Sequence, residues 1–306
     1  MIKARKFKLK YNIKDYLFIL SLIIIPLIHF IVFWLYVNFD SILMAFKGLG
    51  DDGQEYWTLN NFSALIKDFF LPDSIIWEAT INTLLIFLTG VLIATPICLV
   101  AAFFMLKRMP LGNFYKILFF LPSMINMVAF VYVFTYFIGV DGPLAKIWVK
   151  LGFELETFPV FLGQGWAMPT ILFYNIWSGL GFTTIVTSSN MNRIPTELYE
   201  SAKIDGAGFV CEFFCITIPL IWPTISAMII FNMAGMFSYL GPVMLMTEGS
   251  YNTSTIGYYI FQNVTSGDPK LMYYPAALGL FFTVVAAPVI LLTRKGLNSF
   301  WQDVTF

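Results

Sequence analysis

The composition of this chain excludes a soluble globular protein. Of its 306 residues, 58% are hydrophobic and only 12% are charged, and the formal net charge is zero. A chain with this apolar content has to be solvated by lipid. Without a net charge, it has no overall electrostatic field that would attract nucleic acid.

Six uncharged apolar runs are long enough to cross a bilayer, whose hydrocarbon core takes about 20 helical residues. They predict an all-α polytopic membrane protein with six transmembrane helices, at residues 16–37, 79–105, 117–138, 166–189, 218–246 and 273–293. The predicted organisation is a basic N-terminal segment at 1–15, a transmembrane domain at 16–293 and a C-terminal tail at 294–306.

The positions of the basic residues predict how these helices are oriented. The segment before the first helix is strongly basic, and such a segment is retained in the cytoplasm. With six spans, thirteen of the 18 lysines and arginines fall on that side. We therefore predict a multi-pass protein of the plasma or inner membrane with both termini in the cytoplasm. The first external segment, 38–78, is acidic and is predicted to be a solvated loop with short helices.

The chain lacks the residue patterns of most enzymes and of ion-driven transporters. It contains no Gly-x-x-x-x-Gly-Lys-Ser/Thr phosphate loop, and its single histidine, His29, cannot form a two-histidine zinc motif. The cysteines Cys98, Cys211 and Cys215 do not favour a disulfide framework or a zinc site. The six spans carry no Asp, Glu, Lys or Arg that could bind a coupling ion. We therefore expect no enzymatic activity and no cofactor in this chain, and an external source of energy for any transport.

The loop at 190–217, between the fourth and fifth spans, is predicted to form two short cytoplasmic helices separated by a turn. Thr196 can cap the first helix, because its hydroxyl can accept from a free backbone N–H. Asp205 and Gly206 can end this helix, because glycine adopts the left-handed conformation without steric cost.

An apolar notch is predicted on the same helix. Ala202 lies about one turn from Leu198 and Tyr199, so its small side chain leaves a gap between larger neighbours. Such a face suits docking into a groove of another protein. The alternative is an amphipathic connector that only joins two spans.

The spacing within this loop resembles a known signature. The residues are Glu200-Ser201-Ala202, three residues, Gly206, nine residues, Ile216, one residue, and Ile218-Pro219. This resembles the Glu-Ala-Ala loop of ABC importer permeases, Glu-Ala-Ala-x3-Gly-x9-Ile-x-Leu-Pro, with serine for the first alanine and isoleucine for leucine. The loop also resembles the variant of this signature found in sugar-importing, maltose-type permeases. The residues that carry this likeness are Ile194-Pro195-x-Glu197-Leu198 and Asp205-Gly206-Ala207.

Less specific landmarks extend the resemblance to roughly residues 15–295. They are Trp77-x-Ala79-x-x-Asn82-Thr83, Leu121-Pro122 and Thr247-x-Gly249. Maltose-type permeases often have Thr-x-Gly-Gly-Pro at the last place, whereas here Gly249 is followed by Ser250 and Tyr251. The external gate region is therefore expected to differ from theirs.

The resemblance identifies the chain as a maltose-type, carbohydrate-importing ABC transporter permease subunit of the binding-protein-dependent transport system inner membrane component family. It implies the type I ABC importer permease fold and four kinds of partner: a second, non-identical permease, two ATPase subunits that bind ATP and magnesium, an extracellular solute-binding protein, and a saccharide. It also implies that the loop is a coupling helix for the ATPase. The residues carried over to that role are Glu200, Ser201, Ala202, Asp205, Gly206, Ala207, Ile216 and Pro219.

A polar solute that crosses the membrane needs hydrogen-bond partners in a protected cavity, and sugars also favour aromatic faces. The candidates within the spans are Tyr174, Asn175, Trp177, Ser178, Asn232, Ser238, Tyr239 and Tyr274. Polar residues inside membranes also bond neighbouring helices, so helix packing remains an alternative for each of them. The alternative functions are a permease for a non-carbohydrate solute, an ATPase-independent transporter or channel, and a membrane enzyme.

Overall fold

The structure is a computed structural model that describes residues 13–71, 74–107 and 112–300. Its α-helices, labelled α1 to α15 in chain order, are Ile13–His29, Val37–Met44, Asn60–Phe70, Ile75–Thr89, Thr95–Leu106, Gly112–Met124, Met127–Ile138, Pro143–Lys150, Ala167–Met191, Thr196–Ile204, Phe209–Cys211, Ile218–Gly235, Gly241–Met246, Ile256–Thr265 and Tyr273–Phe300. Three π-helical segments are Phe30–Tyr36, Gly90–Ala94 and Glu212–Thr217, and three 3-10 turns are Leu155–Thr157, Met236–Ser238 and Pro269–Leu271. The strands β1 and β2 are Lys47–Leu49 and Glu55–Trp57.

The predicted all-α membrane fold is confirmed. Among the described residues, five helical stretches are long and apolar enough to cross a membrane: Ile13–Met44, Ile75–Leu106, Met127–Lys150, Phe209–Ser238 and Pro269–Ser299. The predicted fourth span corresponds to α9, which has 25 residues. This helix carries several hydroxyl and amide side chains, which lower its hydropathy without adding charge.

The predicted third span, 117–138, is not one continuous helix, so that part of the prediction is wrong. Helix α6 ends at Met124 and α7 begins at Met127. Between them Asn126 has non-helical backbone angles, and its side-chain oxygen accepts from the backbone N–H of Val128 at 2.9 Å. The asparagine therefore caps a new helix inside the predicted span.

The predicted fifth span, 218–246, is also interrupted. Helical structure ends at Ser238 and resumes with α13 at Gly241. Pro242 lacks the backbone N–H that would donate to the carbonyl of Ser238, and it suits the first turn of the next helix. The interruption therefore has a local cause that the hydropathy of the segment conceals.

The two interruptions face each other. A Cβ atom added to Gly241 would lie 2.4 Å from the Cε atom of Met127, so the end of the Met127 side chain occupies the space beside this glycine. Irregular backbone at membrane depth is tolerated where it is buried in protein or lines a cavity. The two helix interruptions thus meet at one place, between α6–α7 and α12–α13.

Two π-helical segments share a local cause. Each is followed within two residues by a proline, Pro96 or Pro219, which lacks the N–H that would continue an α-helical turn. A threonine hydroxyl donates to the carbonyl five residues earlier in both, from Thr95 to Gly90 at 3.0 Å and from Thr217 to Glu212 at 2.9 Å. The helices that contain α5 and α12 therefore have widened turns at defined points.

Most of the first helical stretch is exposed, and only its end, α2, packs against α15. Over Ile13–Met44 no residue of its most apolar window is buried against other parts of the protein. Large side chains such as Phe18, Phe33 and Trp34 are more than half exposed. An apolar surface of this size requires lipid or another protein chain to cover it.

The segment after the first helix contains a β-hairpin where only a loop with short helices was predicted. Strands β1 and β2 pair antiparallel, with Lys47 opposite Trp57. Lys47 forms an ion pair with Glu55 at 2.7 Å, and the hydroxyl of Tyr273 donates to the same carboxylate at 3.0 Å. Lys270 pairs with Asp51 at 2.8 Å. The hairpin is thereby attached to the beginning of α15.

Candidate functional site

The helix of the predicted coupling loop, α10, ends in a complete Schellman motif. Gly206 has φ +82°, its N–H donates to the carbonyl of Lys203 at 3.1 Å, and the N–H of Ala207 donates to the carbonyl of Ala202 at 2.8 Å. This is the termination that Asp205 and Gly206 predict. At the other end, the prediction of a cap by Thr196 is wrong: Pro195 occupies the N-cap position, without a side-chain hydrogen bond.

The structure places the predicted coupling residues on two faces. Glu200, Ser201, Asp205 and Gly206 are exposed on α10 and its terminal turn. The remaining predicted coupling residues are half-buried: Ala202, Ala207, Ile216 and Pro219. The exposed set forms a surface on the loop at 190–217 that a second protein can contact.

The predicted notch around Ala202 is wrong in its geometry. Tyr199 is only 8% exposed and belongs to a buried cluster with Phe103, Phe213 and Ile221. It therefore faces the membrane domain and does not flank an outward notch. The helical pattern alone could not distinguish which of the apolar neighbours Leu198 and Tyr199 points inward.

Tyr199 is the centre of a polar joint that connects α10 to two membrane helices. Its hydroxyl lies 2.9 Å from the Thr217 hydroxyl, in the π-helical segment before α12. The Nζ atom of Lys107, at the end of α5, lies 4.3 Å from the centre of the Tyr199 ring and pairs with Glu212. Burial raises the pKa of Tyr199, so its hydroxyl remains protonated at neutral pH.

The joint contains residues that the sequence interpretation missed as functional. Glu212 is only 4% exposed, and a buried carboxylate is costly unless a cation and hydrogen bonds compensate it. Lys107 supplies the cation and also lies over the Phe103 ring at 5.2 Å. The only sequence signal for this ion pair was a single carboxylate, Glu212, beside an otherwise apolar run. Its partner Lys107 lies 105 residues earlier in the chain.

Two neighbouring cavities lie within the membrane domain. The first, here called the break cavity, has a volume of about 500 Å³ and lies at the two helix interruptions. Its lining includes Ser123, Ile125, Tyr174, Asn175, Ser178, Ser238 and Tyr239. The second, the central cavity, has about 570 Å³, and its lining includes Thr83, Asn175, Thr183, Asn232 and Tyr239. Asn175 and Tyr239 line both cavities.

Six of the eight predicted substrate-path residues line these cavities, and two do not. Tyr174, Asn175, Ser178, Asn232, Ser238 and Tyr239 line one or both. Trp177 instead lines an apolar groove of about 700 Å³ with Phe134 and Phe173. The hydroxyl of Tyr274 donates to Asp68 at 2.7 Å and attaches α15 to α3, outside the cavities. These two residues therefore lie outside the break and central cavities.

The hydroxyl of Tyr239 is the most informative polar group at the cavities. It is buried and has no hydrogen-bond partner among the described residues. Buried polar groups almost always have a partner, so this hydroxyl is available to bond a polar ligand in the cavities. The carbonyl of the same residue, freed by the helix break, accepts from Thr255 at 2.7 Å.

Among the described residues, the lining of both cavities offers hydroxyls, amides and aromatic rings but no charged side chain. Asn232 donates one amide hydrogen to the Met228 carbonyl at 2.9 Å, which fixes the orientation of its side chain. The arrangement can therefore hydrogen-bond a neutral polar solute and cover its apolar faces.

Elsewhere, the three cysteines have different surroundings. Cys98 is buried, whereas Cys211 and Cys215 are exposed with their sulfur atoms 3.0 Å apart. His29 has a ring contact with Phe33 at 4.9 Å. Over the described residues, no three His, Cys, Asp or Glu side chains are grouped as metal ligands.

Comparison with known proteins decides the family. The model of the binding-protein-dependent transport system inner membrane component family matches residues 94–298. The chain belongs to this family. The permease is therefore a multi-pass membrane protein and the membrane component of a binding-protein-dependent transport system.

Individual relatives agree with this assignment. The permease is 31% identical to the sulfoquinovosyl glycerol transport system permease protein of Agrobacterium fabrum, covering 81% of this chain and 77% of the relative. It is 25% identical to the arabinooligosaccharides transport system permease protein of Bacillus subtilis, covering 89% and 85%. Its fold matches a chain in the crystal structure of a bacterial alginate ABC transporter with a TM-score of 0.80 and 23% identity, covering 95% and 97%.

Proposed function

We propose that this permease forms half of the membrane pathway of an ATP-driven importer that takes up a neutral saccharide. The observation that carries the cargo assignment is the uncharged lining of the break and central cavities, with the unpartnered Tyr239 hydroxyl between them. The names of the relatives support the saccharide part of this assignment, because they describe transport of sugar-containing solutes. Its neutrality rests on the cavity lining alone. A charged solute would need opposite charges in the pathway, which this half does not supply.

The proposed energy source is a pair of ATPase subunits that bind ATP and magnesium, while this chain binds no cofactor. The exposed side of α10, with Glu200, Ser201 and Asp205, is the proposed contact surface for one of them. Its buried side is joined through Tyr199 to the ends of α5 and α12. A displacement of α10 is therefore transmitted to the helices that carry the cavities, rather than absorbed by a loose loop.

The remaining partners are a second, non-identical permease and an extracellular binding protein. The largely exposed Ile13–Met44 helix supports a partner chain in the membrane. In the proposed orientation both termini and α10 are cytoplasmic, and the β-hairpin faces the binding protein. Loaded binding protein and ATP would then favour the same conformational change from opposite sides of the membrane.

The test is a reconstitution of the permease with its neighbouring permease, ATPase and binding protein, followed by a panel of glycans assayed for stimulated ATP hydrolysis. Stimulation by a neutral saccharide is the expected result. Stimulation only by a charged or non-carbohydrate solute would overturn the cargo assignment. Uptake that persists without any ATPase would instead support a transporter that works alone.

A further inference from the structure

Besides the break and central cavities, a further polar pocket lies at the end of the membrane domain opposite α10. It has a volume of about 360 Å³ and is lined by Gln164, Gly165, Met168, Tyr251 and Asn252; we call it the mouth pocket. We propose that the mouth pocket is a saccharide subsite, separate from the break and central cavities, in which Tyr251 covers a sugar ring and Gln164 hydrogen-bonds its hydroxyls. This inference rests on the proposed saccharide function.

The loop that carries Tyr251 has an unusual backbone. Glu248, Tyr251 and Asn252 all have positive φ, at 50°, 57° and 59°, although none of them is glycine. They are the only such residues in the described part of the chain. Strained residues persist only where the surrounding structure enforces them, and they are concentrated at ligand sites.

Hydrogen bonds from α4 enforce this conformation. The side-chain amide of Asn82 donates to the carbonyls of Asn252 and Ser254, both at 2.9 Å. The hydroxyl of Thr83 accepts from the N–H of Ile256 at 3.1 Å. The two sequence landmarks Asn82-Thr83 and Thr247-x-Gly249, which are about 170 residues apart, thus meet at one loop.

The base of the loop is closed, whereas its tip is open. Thr253 is fully buried, and its hydroxyl lies 2.6 Å from that of Thr247. Gly249 lies so close to Tyr258 that an added Cβ would be 2.6 Å from its ring. By contrast, Tyr251 is 55% exposed. The strain therefore holds a large aromatic ring at the surface instead of packing it into the core.

The chemistry of the mouth pocket fits a neutral sugar. An aromatic ring and a methionine provide apolar surface, and two amide side chains provide donors and acceptors without charge. The pocket is also adjacent to the pathway. Met168 packs against the same buried cluster as Tyr239, which lines the two membrane cavities. A saccharide that enters the break cavity from this side passes the mouth pocket.

The variant Tyr251→Gly separates a binding role from a structural one. Glycine adopts φ near +57° without strain, so the variant should raise the thermal midpoint of the complex while it removes the ring. Loss of one aromatic contact should weaken binding of neutral oligosaccharides about three- to tenfold. Tyr251→Trp keeps a ring and should bind like the wild type, and Leu151→Ala, at an exposed site outside the pocket, is the matched control.

The experiment uses the complete complex in nanodiscs, with binding of a series of neutral oligosaccharides measured by saturation-transfer NMR and docking of the binding protein measured separately. Weaker saccharide binding in Tyr251→Gly and Gln164→Ala, with unchanged docking of the empty binding protein, is the expected result. Docking that weakens equally with and without saccharide would show a protein contact surface and overturn the subsite.

The two proposals fail in different ways. If the wild-type complex shows saccharide-stimulated ATP hydrolysis but both variants bind saccharide normally, the mouth pocket is not a subsite and the proposed function stands. If no saccharide binds the wild type or stimulates it, both proposals are wrong.

Discussion

Single substitutions give the cleanest tests of the proposed coupling and substrate residues. Gly206→Ala places a side chain at φ +82°, where space is free but the backbone conformation is unfavourable for an L-residue. We expect a loss of about 1–2 kcal/mol in the stability of the α10 terminus, measured by hydrogen exchange of the loop. Gly208→Ala is the matched control, because Gly208 also has free space but an ordinary φ of −79°. Equal protection in the two variants would contradict the assigned role of the turn.

Tyr239 and Tyr274 give a second comparison at this scale. Tyr239→Phe removes a buried hydroxyl that has no partner, so the thermal midpoint should stay the same or rise. If the hydroxyl bonds the cargo, saccharide affinity should fall by up to about tenfold. Tyr274→Phe removes the hydrogen bond to Asp68 and should show the reverse pattern, a lower midpoint with unchanged affinity. Calorimetry and equilibrium binding on the same preparations measure both quantities. Unchanged affinity in Tyr239→Phe would place the cargo elsewhere.

At the scale of elements, the joint among α5, α10 and α12 is the structural basis of the proposed coupling. Glu212→Gln leaves Lys107 without its carboxylate partner. Removing one partner of a fully buried pair lowers the free energy of unfolding by about 3–5 kcal/mol. The loss should be smaller here because the lysine is partly exposed. The double variant Lys107→Met, Glu212→Leu should recover much of the thermal stability, because it removes both charges. If the joint transmits motion, the double variant should still hydrolyse more ATP per saccharide imported than the wild type. A wild-type ratio would assign the pair to stability alone.

The attachment of the hairpin β1–β2 to the beginning of α15 is expected to weaken in acid. The hydrogen bond from Lys270 lowers the pKa of Asp51, and that from Lys47 lowers the pKa of Glu55. Attachment of the hairpin is therefore complete above the ordinary carboxyl pKa of about 4 and is lost as the pH falls through the lowered values. Limited proteolysis should cut the hairpin faster in acid than at neutral pH, and Asp51→Asn should be cut faster at neutral pH. A cleavage rate that is independent of pH would exclude this attachment.

The same elements show what the sequence could and could not predict. Hydropathy placed the spans because lipid solvation depends on composition, and it also concealed the breaks at Asn126 and Gly241, whose neighbours are apolar. The sequence signals for the two breaks were local. Asn126 lies four residues after Pro122, and Gly241 lies directly before Pro242. The joint at Tyr199 depends on the rotation of α10 and on a lysine far away in the chain, and no local pattern encodes either. The six cavity residues were found because polar side chains in a span are few.

At the scale of the whole molecule, irregular structure is concentrated where the proposal needs it. The helix breaks adjoin the membrane cavities, a strained loop forms the mouth pocket, and a π-helical segment with a buried ion pair connects to α10. Regular, apolar helices surround these places and supply the rigid frame. In the proposed mechanism, the surface of α10 and the saccharide pathway are therefore mechanically joined within one chain.

The most direct test of that claim is the ratio of ATP hydrolysed to saccharide imported, measured in one preparation of proteoliposomes containing the complete complex. We expect a Gly206→Trp permease to insert and assemble normally but to raise this ratio strongly, because the altered end of α10 no longer transmits the movement of the ATPase. The Gly208→Ala complex should keep the wild-type ratio. Wild-type coupling in Gly206→Trp, in a complex shown to be assembled, would contradict the account.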